Sequence, residues 1–222
     1  MHKIGQTRPV SEVINLKKSK YAPKIFSYLF VLLSFYLLLW QFLIRHIALP
    51  TYFYGRLIEV LGVSVFILLA LTVPLRFEKM GIVCTPDCIS DSLSLGALLS
   101  AFFLGTLLLY RLLSGLPPTF SWHIRGDISR LTYFLVAPFQ EILSKSVLLY
   151  AFEIALDDRP RTANLLAALT FAALHVAYGI AMMLAAFALS LITGAMFQKK
   201  RSVWGPALLH FICGFFPTCL GF

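Results

Sequence analysis

Long apolar runs, separated by short polar or basic segments, dominate the chain from residue 25 onward. About 20 consecutive apolar residues are enough for a helix to cross a bilayer. Runs of about that length occupy residues 25–44, 57–75, 92–110, 131–156 and 203–222. The pattern therefore predicts a membrane-spanning helix at each of them, preceded by a basic cytoplasmic tail at residues 1–24.

A longer apolar block at residues 163–197 requires a separate interpretation. As one helix it would be about 52 Å long, whereas the hydrocarbon core is about 30 Å thick. Arg159 and Arg161 precede the block, and the basic cluster 199–201 follows it. With both basic groups on the cytoplasmic side, the block crosses twice and turns near Tyr178 and Gly179, which brings the prediction to seven spans.

Composition supports a membrane protein rather than a soluble domain. Of the 222 residues 59% are hydrophobic and 13% are charged, and the mean hydropathy is +0.83. A soluble domain carries about 25% charged residues. The sequence therefore predicts an all-α, polytopic bundle over residues 25–222, without a second domain.

The distribution of basic residues predicts the orientation of this bundle. Thirteen Lys and Arg residues lie on the side of the N-terminal tail, and five lie on the other side. Basic residues accumulate on the cytoplasmic side of membrane proteins. We therefore expect an integral protein of the plasma (inner) membrane, with its N-terminus in the cytoplasm and its C-terminus outside. The net charge of +9 is explained by topology, and a nucleic-acid partner is not expected.

Four ionisable residues stand out inside the predicted spans, where a charge is costly and is usually functional or paired. Glu141 and Lys145 belong to the fourth span, His175 to the fifth and His210 to the seventh. At 1.5 Å per residue, Glu141 lies about 15 Å from the outer end, and His175 and His210 about 18 Å and 11 Å from the inner ends. The depths predict one site near the midplane.

Spacing alone leaves the chemistry of this site open. A carboxylate and an imidazole can activate water while a second imidazole stabilises an oxyanion. The same three groups could bind zinc or carry protons. Structural roles are also possible, since Glu141 and Lys145 can neutralise each other at i, i+4, and a histidine can simply join two helices.

Three short motifs extend this picture. They are APFQEILSK at 137–145, FAALH at 171–175 and LLHFICG at 208–214. Their order and framing resemble the CPBP family (CAAX protease and bacteriocin-processing membrane proteins), whose motifs are Glu-Glu-x-x-x-Arg, Phe-x-x-x-His and His-x-x-x-Asn or Asp. The resemblance covers about residues 131–215 and marks the chain as a divergent member.

The resemblance implies an intramembrane endopeptidase that acts on prenylated proteins or leader peptides, although some members are immunity or scaffold proteins. By resemblance, the first Glu and the second-motif His activate water, and the last His and its Asn hold the oxyanion. This chain has Gln140 at the first Glu, Lys145 at the Arg and Gly214 at the Asn. An amide cannot take a proton from water, and Gly214 offers no side-chain donor.

We therefore expect Glu141 to act as acid and base with His175, and His210 to donate to the oxyanion. Lys145 would pair with Glu141, with Gln140 and Phe171 in supporting positions. No metal or other cofactor is expected, although zinc stays open. The substrate would be a peptide or lipidated protein arriving from the inner leaflet of the bilayer.

Two alternatives remain beside the endopeptidase. The first is a catalytically degenerate member of the family that binds a partner or lipidated ligand without cutting it. The departures at Gln140 and Gly214 favour this alternative. The second is a proton-coupled carrier, but the sequence lacks the paired broken helices typical of transporters.

Overall fold

The computed structural model describes residues 20–47, 51–73, 75–116, 128–157 and 159–219. Its first part contains three long helices: α1 at Ala22–His46, α2 at Thr51–Thr72 and α3 at Pro86–Leu113. A single 3₁₀ turn at Phe77–Lys79 lies between α2 and α3. All regular structure of the described residues is helical, which confirms the predicted all-α class.

The predicted cytoplasmic tail lies largely outside the described residues, which begin at residue 20. Helix α1 begins at Ala22, three residues before the start of the predicted span, and Pro23 occupies one of its first two positions. Proline is well suited to the first turn of a helix, where its missing N–H costs no hydrogen bond.

A continuous helical rod follows, which we call the central rod. It consists of α4 at Ile128–Glu141, a π-helical segment at Ile142–Leu149 and α5 at Tyr150–Ala155. Pro138 lies inside α4 and removes one backbone donor just before the wider π turns begin. Six consecutive residues of the π segment, Ser144 to Leu149, are buried, so helices surround the rod on all sides.

The second half of the fold contains α6 at Pro160–Leu174, α7 at Ile180–Lys200 and α8 at Trp204–Cys219. A 3₁₀ turn at Val176–Tyr178 and Gly179 separate α6 from α7. Gly179 has φ +87°, a conformation that side chains disfavour, and it allows the chain to reverse. The turn predicted near Tyr178 and Gly179 is therefore confirmed.

Counting the central rod as one element, seven helices are present in the described residues, as predicted. Four of them are long and apolar enough to cross a bilayer, and these are Ala22–Leu43, Pro86–Leu113, Thr132–Ala155 and Ile180–Lys200. The apolar part of α2, Glu59–Thr72, is shorter. Large side chains on the outer surface, such as Leu71 at 79% exposure and Phe30 at 75%, fit contact with lipid. The protein is therefore an integral membrane protein.

Small residues allow the helices of this bundle to approach closely. A Cβ atom added at Gly205 in α8 would collide with the backbone of Ser92 in α3, and one at Gly96 would collide with Gly205. The Gly205 N–H donates to the Ser92 hydroxyl at 3.1 Å. Close contact through glycine and serine is typical of membrane helices, where packing rather than water exclusion drives association.

Polar contacts fix the start of α8, the helix that carries His210. Arg201 forms a 2.7 Å ion pair with Glu153 of the central rod, and Gln198 donates to the same carboxylate at 2.9 Å. Lys200 pairs with Asp91 of α3 at 2.7 Å. Two members of the basic cluster 199–201 thus connect the α7–α8 turn to neighbouring helices, and this sets the position of His210 within the bundle.

Candidate active site

A direct hydrogen bond joins two of the predicted site residues. Nδ1 of His210 lies 2.9 Å from Oε1 of Glu141, although the two residues are 69 positions apart. The Glu141 carboxylate is fully buried, and His210 is 4% exposed. Because a carboxylate only accepts, the imidazole donates through Nδ1–H and its Nε2 remains for other partners. The first and third motifs therefore meet inside the bundle.

Lys145 lies next to this pair but is bound mainly to α7. Its Nζ donates to the Ser190 hydroxyl at 2.7 Å, to the Ser190 carbonyl at 3.1 Å and to the Ser144 hydroxyl at 3.1 Å. Oε2 of Glu141 is 3.9 Å away, beyond hydrogen-bond range but within range of an ion pair. Three hydroxyl or carbonyl acceptors thus satisfy the ammonium group that is fully buried here.

Phe171 occupies the centre of the site. Its ring lies 5.6 Å from Lys145 Nζ, and its centroid is 4.6 Å from that of His175 and 5.8 Å from that of His210. The aromatic residue of the second motif therefore contacts groups contributed by all three motifs. Both imidazoles contact this ring.

His175 is positioned by the end of its own helix. It caps α6, and its Nδ1 lies 2.8 Å from the carbonyl oxygen of Phe171. Since a carbonyl only accepts, Nδ1 carries the proton and Nε2 of the neutral ring is an acceptor. No hydrogen bond connects His175 with Glu141 or His210 within the part of the chain described here. The structure thus joins Glu141 to His210 and packs His175 against Phe171.

Gln140 faces a different space from that of its neighbour Glu141. It lines a cavity with about 620 Å³ of empty volume between α1, α2, α6 and the central rod. Consecutive side chains on a helix point about 100° apart. Gln140 therefore cannot point toward His210 as Glu141 does. The cavity walls are largely apolar, with Glu59, Ser144 and Thr170 among the polar lining residues.

Glu59 is a site residue that the sequence reasoning missed. It lies on α2, lines the cavity, and interacts with the Gln140 side chain. Its Oε2 pairs with Arg56 at 2.8 Å, while its buried Oε1 has no hydrogen-bond partner among the described residues. A usable signal existed, because Glu59 is an acidic residue inside the predicted second span.

Tyr133 is the second residue that was missed. Its ring meets that of His210 edge-on, with centroids 6.2 Å apart and planes at 75°. A Cβ atom built at Gly214 would collide with the Tyr133 hydroxyl. No pattern in the sequence distinguishes Tyr133 from the other aromatic residues of the spans, so only the packing of α4 against α8 identifies it.

The described residues contain no group of three His, Cys, Asp or Glu side chains placed to hold a metal ion. His175 forms no such group with Glu141 and His210. The residues present therefore do not fit the two-His, one-carboxylate zinc set, and no chemical step is assigned to a metal.

Fold and site together define a helical membrane protein with a carboxylate–imidazole pair buried among its spans. Residues 128–216 match the family described as type II CAAX prenyl endopeptidase Rce1-like. This segment begins at the first residue of α4 and includes all three motifs, so the match confirms the resemblance to the CPBP family. No curated protein and no solved structure matches the chain.

The buried cluster makes a testable prediction about stability. Lys145→Met should lower the free energy of unfolding by about 3 kcal/mol, because it leaves the Glu141 carboxylate without its nearby cation. Adding Glu141→Gln to Lys145→Met should recover most of that loss, since the uncompensated charge is then removed. Denaturant unfolding of the purified variants in detergent measures the loss in Lys145→Met and the recovery in the double variant.

Lys199→Met serves as the matched control, because Lys199 is an exposed lysine at the end of α7. It should change the stability by no more than about 0.5 kcal/mol. If the effects of Lys145→Met and Glu141→Gln simply add, the two side chains are not energetically coupled and the interpretation of the cluster is wrong.

Proposed function

We propose that the protein is an intramembrane endopeptidase of the CPBP type that cleaves a peptide or lipidated protein at the membrane. The observation that carries this proposal is the buried 2.9 Å hydrogen bond between Glu141 and His210. It pairs an acid and an imidazole from two motifs of the matched segment. A buried polar pair of this kind is costly in a membrane and marks a functional site.

The geometry favours distinct roles for the two histidines. The Glu141 carboxylate orients His210, and in the doubly protonated ring the Nε2–H can donate to the oxyanion of a tetrahedral intermediate. The free Nε2 of His175 can accept a hydrogen bond or a proton from water. Glu141 supports His210 electrostatically through Oε1, and its expected role as acid and base with His175 stays a prediction.

The cavity beside Gln140 supports a lipidated or apolar peptide substrate. Its apolar walls are typical of a site for a hydrophobic ligand. Phe171 lines this cavity and also contacts both imidazoles, so a ligand in the cavity would lie next to the site. Entry from the inner leaflet remains part of the proposal.

A second candidate function is binding without cleavage. Gln140 has a neutral amide at the position where the family carries its first Glu, and the carboxylate of Glu141 is fully buried. These two observations favour a degenerate member that holds a lipidated partner as a scaffold or immunity protein. Lipid is the surrounding medium in both cases, and neither function involves nucleic acid or a bound cofactor.

Proteolysis by the purified protein tests the proposed function. Incubation in nanodiscs with prenylated peptides and with leader peptides should give defined fragments by mass spectrometry. His175→Ala and His210→Ala should each lower kcat by about 100-fold or more, because each removes a group that acts on the reacting atoms. His46→Ala is the matched control and should retain full activity, since His46 is an exposed histidine at the end of α1.

Two results would decide against the endopeptidase. If the double variant Glu141→Ala/His175→Ala still cleaves the substrate, these residues do not take part in catalysis. Saturable peptide binding by the wild-type protein without any cleavage would favour the scaffold, and gain of cleavage in Gln140→Glu would then identify it as an inactivated endopeptidase.

We also propose the orientation derived from the basic residues, with the N-terminus in the cytoplasm and the C-terminus outside the plasma (inner) membrane. In a variant without native cysteines, the substitution Leu116→Cys should give a thiol that reacts with a membrane-impermeant maleimide on intact cells. The substitution Lys199→Cys should give a thiol that reacts only after the cells are permeabilised, because the basic cluster 199–201 faces the cytoplasm in this orientation. The reverse labelling pattern would overturn this orientation.

A further inference from the structure

The space next to Gly214 is filled by a side chain from another helix. Any side chain at position 214 would begin with a Cβ atom, and that atom would collide with the hydroxyl and ring of Tyr133. Tyr133 belongs to α4, whereas Gly214 belongs to α8. Glycine at position 214 and tyrosine at position 133 are therefore complementary, and the phenol hydroxyl lies where a side chain of residue 214 would lie.

This space is adjacent to the imidazole of the buried pair. Residues four apart on a helix share a face, so position 214 lies one turn beyond His210 on the same face of α8. The Tyr133 ring contacts His210 edge-on at 6.2 Å and stacks on Phe211 at the same centroid distance, with planes at 30°. The two aromatic contacts hold the phenol beside the imidazole.

We propose that the Tyr133 hydroxyl is a second hydrogen-bond donor to the oxyanion, next to Nε2–H of His210. The inference deepens the proposed function and depends on it. When water adds to the scissile carbonyl, the carbonyl oxygen gains negative charge, and preorganised donors stabilise it most effectively. The phenol O–H shares its proton in a hydrogen bond and does not transfer it, so no further reactant is needed.

The experiment separates the hydroxyl from the ring. Tyr133→Phe keeps the packing against His210 but removes the donor, and should lower kcat by about 100-fold with little change in KM. Tyr133→Ala should be at least as impaired. Because Tyr133→Ala opens the space at position 214, adding Gly214→Asn should restore at least 10-fold of the lost activity by supplying an amide donor.

Gly214→Leu in the Tyr133→Ala background is the matched control, because leucine has a similar volume and no donor. Rescue by asparagine but not by leucine supports the role of the hydroxyl. Wild-type kcat in Tyr133→Phe, or equal rescue by leucine, would show that Tyr133 only fills space and would overturn the inference.

A thermal unfolding cycle tests the packing without any activity. Gly214→Ala should lower Tm in the wild-type background and should have little effect in the Tyr133→Ala background. Equal losses in both backgrounds would refute the complementarity. If the wild-type protein cleaves no substrate although the cycle shows coupling, the proposed function fails and the donor role with it, while the packing of the hydroxyl stands.

Glu59 carries a second inference, based on the cavity rather than on the Glu141–His210 pair. Its Oε2 is held by Arg56, and its Oε1 is buried without a hydrogen-bond partner among the described residues. Glu59 lines the cavity together with Gln140, with whose side chain it interacts, and Phe171 lines the same cavity. The carboxylate therefore lies on a cavity wall that also reaches the ring between the motifs.

We infer that Glu59 supplies the proton-accepting carboxylate that Gln140 cannot provide. In this step a water oxygen bonds to the carbonyl carbon, the π electrons of the C=O bond move to the carbonyl oxygen, and one water proton moves to Oε1 of Glu59. The inference also rests on the proposed function. Unlike the three motifs, Glu59 lies on a helix outside the matched segment 128–216.

An exchange of the two side chains tests this role. Glu59→Gln should lower kcat by about 100-fold. The double variant Glu59→Gln/Gln140→Glu should recover part of that loss, because it returns a carboxylate to the same cavity wall. Glu78→Gln is the matched control for an exposed carboxylate and should be neutral. Full activity in Glu59→Gln would overturn the inference.

Carbodiimide labelling tests the accessibility of Glu59 without an assay of cleavage. Dicyclohexylcarbodiimide enters membranes and adds to protonated carboxyl groups, and the adduct can be located by mass spectrometry. Glu59 should be labelled, whereas Glu141 should not, because its carboxylate is fully buried. Absence of an adduct at Glu59 would refute its exposure to the cavity, and labelling without cleavage would count against the proposed function alone.

Discussion

A buried carboxylate inside a membrane bundle needs partners, and much of this structure can be understood from that requirement. Glu141 accepts a hydrogen bond from His210 and lies 3.9 Å from the Lys145 ammonium group. The lysine in turn needs the hydroxyl and carbonyl of Ser190. Because an unpaired charge would be far more costly here than in water, α7, α8 and the central rod must pack in one register.

The packing of small residues allows these partners to meet. Glycine and serine bring α8 against α3, and the ion pairs of Lys200 and Arg201 fix the turn before α8. His210 is consequently held at the depth of Glu141. The wider π-helical segment that follows Glu141 presents six consecutive buried residues to its neighbours, a local irregularity that is frequent at functional sites.

At the two positions where the chain departs from the family motifs, the structure places polar side chains from other helices. Gln140 and Gly214 lack the expected side chains, but each lies next to a polar side chain from another helix. Glu59 interacts with Gln140 across the cavity, and the Tyr133 hydroxyl occupies the space beside Gly214. A sequence motif describes only its own residues. It contains no information about side chains from other helices that pack beside them.

Local features of the sequence predict the all-α membrane fold, the turn that divides residues 163–197 into two helices and the family resemblance of segment 128–216, because apolar run length, flanking charge and motif order are local properties. The sequence also identified Glu141 and His210 through the rarity of ionisable groups in spans. The direct contact of these two side chains, with His175 bound instead to the Phe171 carbonyl, depends on how the helices pack. Only the tertiary structure also revealed Glu59 and Tyr133, because such proximity depends on how helices rotate and pack, which periodicity does not encode.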